Sequence, residues 1–270
     1  MKTFSKKYLI KELEELAKLG WVKNGRFGNH GGIGNTLEDY LGVKENNLPI
    51  PNAAEWELKT QRLSTASLTT LFHIEPSPRA IGFVGQVFLP NYGWLHQEAG
   101  KKYSEAEMSF RQTVSGLAHT DRGFIVKVDR KNRKVEISFD ASKIATRHKE
   151  WVARVNKLVG LRELNPQPYW GFDDLMHKAG TKLLNCFYVQ ADVKRLDGEE
   201  YYHYRKALML RKFNFDAFLT AIEEGNILVD FDARSGHNHG TKFRLRQNHF
   251  PDLYKNLTVV VDEPALPLFK

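Results

Sequence analysis

The chain has 270 residues, 41% of them hydrophobic, with 40 Lys and Arg against 32 Asp and Glu and a formal charge of +8 at pH 7. That length and apolar content can bury a full core without disulfides or a structural metal, and the lone cysteine, Cys186 within the apolar residues 183–189, reads as a buried inert thiol. With no apolar signal core near Met1 and no run of about 18 apolar residues, the expectation is a cytoplasmic chain that is neither exported nor membrane-spanning, and the positive balance favours a polyanionic partner.

Residues 6–19 space Leu9, Ile10, Leu13, Leu16, Ala17 and Leu19 as a helix that Gly20 stops. A glycine-rich loop at 24–34 leads into a second predicted helix over 35–41, capped by Asn35 or Thr36, with early acidic residues that suit its dipole. From Glu55 to Thr60 the alternation is that of a strand. Further strands are expected at 81–89, 123–128 and 134–139, the last two joined by a turn at 129–133. Residues 183–191 and 201–210 read as an antiparallel pair turning at Leu196-Asp197-Gly198. A helix over 215–224 ends at Gly225, and strands follow at 227–231 and 241–245. The mixture predicts an α/β chain of mixed α+β type, without repeats or long linkers.

Three constellations can carry chemistry. On the strand, alternation places Glu55, Glu57 and Lys59 on one face and Trp56 and Leu58 on the other. A carboxylate two residues before a lysine suits phosphodiester hydrolysis: the carboxylate holds Mg²⁺, for which Mn²⁺ or Ca²⁺ can substitute, and the ammonium orients water and stabilises phosphorane charge. An isolated E-x-K is more often a solvated amphipathic strand, so context decides. The glycine-rich loop is no P-loop, because Asn35 follows Gly34 where lysine is required; the glycines either approach a phosphate or make a turn. Glu38 on the following helix is either a metal-side carboxylate or a dipole-matching surface residue. The third cluster holds Asp232, Arg234, His237, Asn238, His239, Lys242, Arg244 and Arg246, side chains that can reach base edges in a groove. A His-x-His zinc site competes for His237 and His239 but has no cysteine near it.

Taken in order, Gly32-Ile33-Gly34-Asn35-Thr36-Leu37-Glu38-Asp39, Glu45-Asn46-Asn47-Leu48, Glu57-Leu58-Lys59-Thr60, Leu68-Thr69-Thr70-Leu71-Phe72, Gln112-Thr113-Val114-Ser115-Gly116, Tyr169-Trp170-Gly171-Phe172-Asp173 and residues 237–244 resemble the MvaI/BcnI family of restriction endonucleases, relatives of the mismatch-repair nickase MutH. The resemblance implies a PD-(D/E)xK core forming a single domain over 1–270, with a catalytic lobe centred on about 25–140 and a recognition lobe centred on about 165–250 around a DNA-binding cleft. It implies a monomer, with no obligate protein partner, that cuts double-stranded DNA at a short CC-x-GG-like site. Glu57 and Lys59 match the family's E-x-K, Glu38 its helix glutamate, and His237, His239 and Arg244 its base-reading segment, with Asp232 and Arg234 aligned less securely. Where the family carries its first metal-binding aspartate, this chain has Asn52, which supplies no negative charge. That departure suggests an inactivated nuclease, and leaves as alternatives a non-catalytic DNA-binding protein, an active variant in which Glu55 substitutes, or a MutH-like nickase.

Overall fold

A computed structural model describes residues 4–26, 32–43, 53, 55–65 and 67–268. The chain divides into two compact units, each assembled from separated stretches: unit 1 comprises Met1–Ser67, Lys178–Phe215 and Gln247–Lys270, and unit 2 comprises Leu68–His177 and Asp216–Arg246. Residues 68–140, which the sequence reading grouped with the catalytic lobe, cluster in unit 2. The helices are α1 (Lys6–Lys18), α2 (Gly32–Leu41), α3 (Lys149–Val159), α4 (Phe172–Leu183) and α5 (Phe215–Glu223). The mixed α+β class expected from sequence is the one observed, and among the described residues no helix is long and apolar enough to cross a membrane.

Unit 1 is built on a five-stranded sheet in the order Val22–Lys23, Glu199–Phe213, Asn185–Leu196, Glu57–Arg62, with Tyr254–Asp262 also paired to Glu199–Phe213. The long hairpin pairs Glu199 with Leu196, and Asp197 and Gly198 both have positive φ, 52° and 80°. A two-residue turn whose twist matches its strands needs φ above zero at both central positions, which Asp-Gly tolerates. Glu57–Arg62 joins this hairpin in parallel, Glu57 opposite Cys186 and Lys59 opposite Tyr188.

Helix α1 starts at Ser5, whose Oγ accepts the Tyr8 amide at 3.2 Å, and buries Leu9, Leu13, Leu16 and Ala17 in a cluster with Tyr202, Tyr204 and Val261 of the sheet. Helix α2 begins at Gly32, ahead of the predicted cap, so neither Asn35 nor Thr36 caps it. Thr36 Oγ1 instead accepts the Gly25 amide at 3.2 Å and donates to Asn24 Oδ1 at 3.3 Å, pinning the preceding chain to the helix. Gly32 packs closely there: a Cβ would lie 2.7 Å from both Asn24 Nδ2 and Tyr202 Oη, so these side chains would have to shift to admit one.

In unit 2 an antiparallel sheet runs Leu68–His73, Lys242–Arg246, Ile227–Arg234, Met108–Val114, Trp94–Leu95, with His237–Asn238 folded back onto Ile227–Arg234. A three-stranded sheet of Arg122–Asp129, Lys134–Ile144 and Tyr169–Gly171 lies in the same unit. The strand expected at 81–89 is absent: the chain forms a 3-10 turn at Arg79–Ile81 and then a π-helix at Val84–Tyr92. Burial there falls on Phe83, Val84, Phe88 and Tyr92, a helical spacing, where a strand would bury every second residue.

Phe88 is the centre of the unit 2 core. Its ring is fully buried, stacked on Phe110 at 4.8 Å and set edge-to-face against Phe231 at 5.4 Å and Phe124 at 6.1 Å. Removing it leaves a cavity ringed by stiff aromatics that cannot collapse. Phe88→Ala is therefore expected to lower stability by about 3–5 kcal/mol, read as a shift in urea midpoint at unchanged slope. A loss under about 1 kcal/mol would show that the π-helix does not anchor this core.

Candidate active site

Glu57 opens its strand with only 1% of its surface exposed, and Lys59 stands two residues on, its Nζ 2.9 Å from Glu57 Oε1. The solvated amphipathic strand is thereby excluded, because both faces are covered: Trp56 packs against Phe187 with tilted rings 4.7 Å apart on one side, and the charged pair lies beside Cys186 on the other. Glu55 does not share this face. It stands exposed in the turn before the strand. Asn52 lies outside the described residues.

A second ammonium was not foreseen from sequence. Lys182, in the last turn of α4, brings its Nζ to 3.8 Å from the same Glu57 Oε1. Among the described residues, Glu57 Oε2 is buried and meets no hydrogen-bond donor. Glu38 on α2 is half-buried and close enough for its charge to act on both Lys59 and Lys182. Burial disfavours the Lys59 ammonium, but the charge and hydrogen bond of Glu57 outweigh it and hold the Lys59 pKa above that of ordinary lysine. For Lys182 the balance tips the other way: burial, with Lys59 and Lys178 nearby, lowers its pKa despite Glu57. Burial also pushes the Cys186 thiol far up, helped by the Glu57 charge, so the inert reading of this cysteine is the one its surroundings support.

A buried carboxylate oxygen without a hydrogen-bond donor is what a hard divalent cation would take. Mg²⁺ is held in proteins by one or two carboxylates together with water and substrate phosphate, so Glu57 Oε2, with Glu38 nearby, fits such an ion.

The other candidate residues lie on the unit 2 sheet. Its strands alternate, with Phe110, Phe231 and Phe243 buried and Arg111, Asp232 and Arg244 on the outer face. Asp232 is held by Arg111 at 3.2 Å and Lys242 at 3.3 Å, while Asp230 accepts from Thr113 at 2.9 Å and faces Arg244 at 3.5 Å. These groups line a concavity of about 590 Å³. Arg244 also donates to the Leu68 carbonyl at 3.2 Å, and Arg246, more exposed, to the Gly225 carbonyl at 3.3 Å. Arg234 is turned to Glu107 at 3.1 Å and lies 4.6 Å from the Tyr103 ring. His237 and His239 form an exposed pair, Nε2 to Nδ1 at 3.3 Å, with Asn238 Oδ1 accepting the Gly240 amide at 2.9 Å between them in sequence. Arg111 and Asp230 were missed by sequence reading. The signal for Asp230 was present: residues 229–234 alternate apolar and charged, which puts Asp230 on the same face as Asp232 and Arg234.

The sequence profile of the MvaI/BcnI restriction endonuclease family matches residues 10–254. Two solved structures are similar over nearly the whole chain: the restriction endonuclease MvaI in complex with its cognate DNA substrate, at 25% identity and a TM-score of 0.74 over 95% of this chain and 99% of that one, and MvaI in the absence of DNA, at 25% identity and a TM-score of 0.55 over 97% and 100%. No curated protein sequence matches.

The ion pair carries a pH signature. Because the folded Lys59 pKa lies above the unfolded one, the pair's stabilisation is fully present below about pH 10.4 and is lost only as pH climbs through the raised value. Glu57→Ala strands two ammonium groups and is expected to cost about 3–5 kcal/mol at pH 7. Without the carboxylate both lysines have lowered pKa values, so the variant regains stability relative to the parent as pH rises toward 10. Urea unfolding at pH 7 and 10 measures this, and an unchanged gap would contradict it.

Proposed function

The chain belongs to the MvaI/BcnI restriction endonuclease family, and we propose that it is a Mg²⁺-dependent, monomeric endonuclease acting on double-stranded DNA at a short CC-x-GG-like site, with its activity reduced by Asn52. The observation that carries this reading is the buried Glu57 and Lys59 pair with Glu57 Oε2 left over. Glu57 and the oxygen of Asn52 would hold the cation, supported by Glu38; when bound, it supplies a Lewis acid at the scissile phosphate. Lys59 hydrogen-bonds the attacking water and, as its oxygen bonds to phosphorus and the ester bond breaks, stabilises the added negative charge. The leaving oxygen takes up a proton.

The unit 2 plate suits the base-reading role. Arg244 can bond guanine O6 and N7 in bidentate fashion, and Asp230 and Asp232 can accept from the cytosine amino group, so one face offers both halves of a G·C pair. His237, Asn238 and His239 extend the same surface on an exposed hairpin. Asn52 weakens the cation site, because an amide replaces a full charge.

Replacing Asn52 by Asp should raise Mg²⁺-dependent plasmid cleavage strongly, and Lys59→Ala in that background should abolish it while binding of a cognate duplex in Ca²⁺ stays within a few-fold. Absence of cleavage by Asn52→Asp on every plasmid tested would instead support a DNA-binding protein without nuclease activity. For recognition, Arg244→Ala should lower discrimination between a CC-x-GG duplex and a scrambled one by about 1–3 kcal/mol in competition binding. Equal weakening on both duplexes would reassign Arg244 to phosphate contact.

A further inference from the structure

Two ammonium groups converge on one carboxylate oxygen, although hydrolysis by an E-x-K pair asks for one lysine. Lys59 already gives Glu57 Oε1 its hydrogen bond at 2.9 Å. Lys182, at 3.8 Å, is beyond hydrogen-bond distance and acts on the carboxylate by charge alone. A lysine in the last turn of a helix commonly serves the helix dipole and stays in solvent. This one does not: its side chain is only 22% exposed and it is directed at a carboxylate that is 1% exposed. Among the described residues, both ammonium groups thus approach Glu57 at Oε1, and Oε2 meets no hydrogen-bond donor.

We propose that Lys182 is a positioning residue acting through Glu57, a resident cation that holds divalent-metal affinity down in the DNA-free chain until a DNA phosphate enters the site. The inference rests on the reading of Glu57 as the metal-holding carboxylate. A divalent ion at Oε2 is repelled by both ammonium groups, and Lys59 cannot be dispensed with. The repulsion from Lys182 is the adjustable part. A phosphate brings negative charge to Lys182 and removes its opposition to the metal. Metal and DNA then bind cooperatively, each strengthening the other by the same factor.

The test is Mn²⁺ binding to the DNA-free chain, followed by electron paramagnetic resonance and calorimetry at neutral pH. Lys182→Met should bind Mn²⁺ about tenfold more tightly than the parent, the size expected for removing one like charge several ångströms away in a partly hydrated site. Lys182→Arg keeps the charge and should match the parent. A merely structural lysine predicts the opposite, weaker binding on removal. With saturating cognate duplex the advantage of Lys182→Met should shrink severalfold. Unchanged or weaker Mn²⁺ binding by Lys182→Met, or Lys182→Arg binding as tightly as Lys182→Met, overturns the proposal. Glu57→Gln separates it from the reading beneath it: that variant should lose Mn²⁺ binding, and if it does not, Glu57 is not the ligand. If Lys182→Met fails to fold by circular dichroism, Lys182→Gln carries the same comparison.

Discussion

A carboxylate removed from water has to be answered by positive charge or by hydrogen-bond donors, and the placement of Glu57 imposes that condition on unit 1. Lys59 answers it from the same strand and Lys182 from a helix, both at Oε1, so the charge is balanced on one side and left open on the other. The strand is fixed in depth by Trp56 and Leu58 behind it, and in register by its parallel pairing with Asn185–Leu196. Small changes of register would turn Glu57 to the wrong face, because strand side chains alternate. Helices α1 and α2 cover the sheet and share its apolar cluster, and α2 carries Glu38 toward the lysines.

The unit 2 sheet solves a different electrostatic problem with the same materials. Its outer face interleaves acids and bases so that Asp232 lies between Arg111 and Lys242, and Asp230 faces Arg244. Such a plate is close to self-neutral locally, although the chain as a whole carries +8. In the proposed DNA-binding role, nonspecific attraction would come from elsewhere on the surface, leaving this face a pattern of donors and acceptors. Behind it, Phe110, Phe231 and Phe243 lock the strands to an aromatic core, which keeps the pattern rigid.

Local rules made much of this legible. The Asp-Gly turn announced the long hairpin, and the glutamate-lysine spacing announced the pair that the structure brings to 2.9 Å. Long-range convergence was not legible: nothing in residues 178–183 says that Lys182 will face Glu57, since that depends on where α4 is laid on the sheet. The π-helix was misread because a short apolar run with glycines has no clear period, and α3 buries only Trp151 and Val155 among charged neighbours. Asp230 fell inside the strand expected at 227–231, but its partners Thr113 and Arg244 come from neighbouring strands that only the sheet pairing brings to it.

The interleaving of the two units along the chain bears on the order in which the protein can form. Glu57–Arg62 leaves the ribosome early, but its partner strand Asn185–Leu196 follows only after most of unit 2 has been synthesised, and the outer strand Tyr254–Asp262 comes later still. Lys182, too, belongs to that later stretch. A nascent chain therefore holds its glutamate-lysine strand without the sheet that buries it until Lys182 and Asn185–Leu196 have been added. Unit 2 needs Asp216–Arg246, which follow Lys182 and Asn185–Leu196 in the chain, so Glu57 and Lys59 can meet their partner strand before the unit 2 sheet is complete.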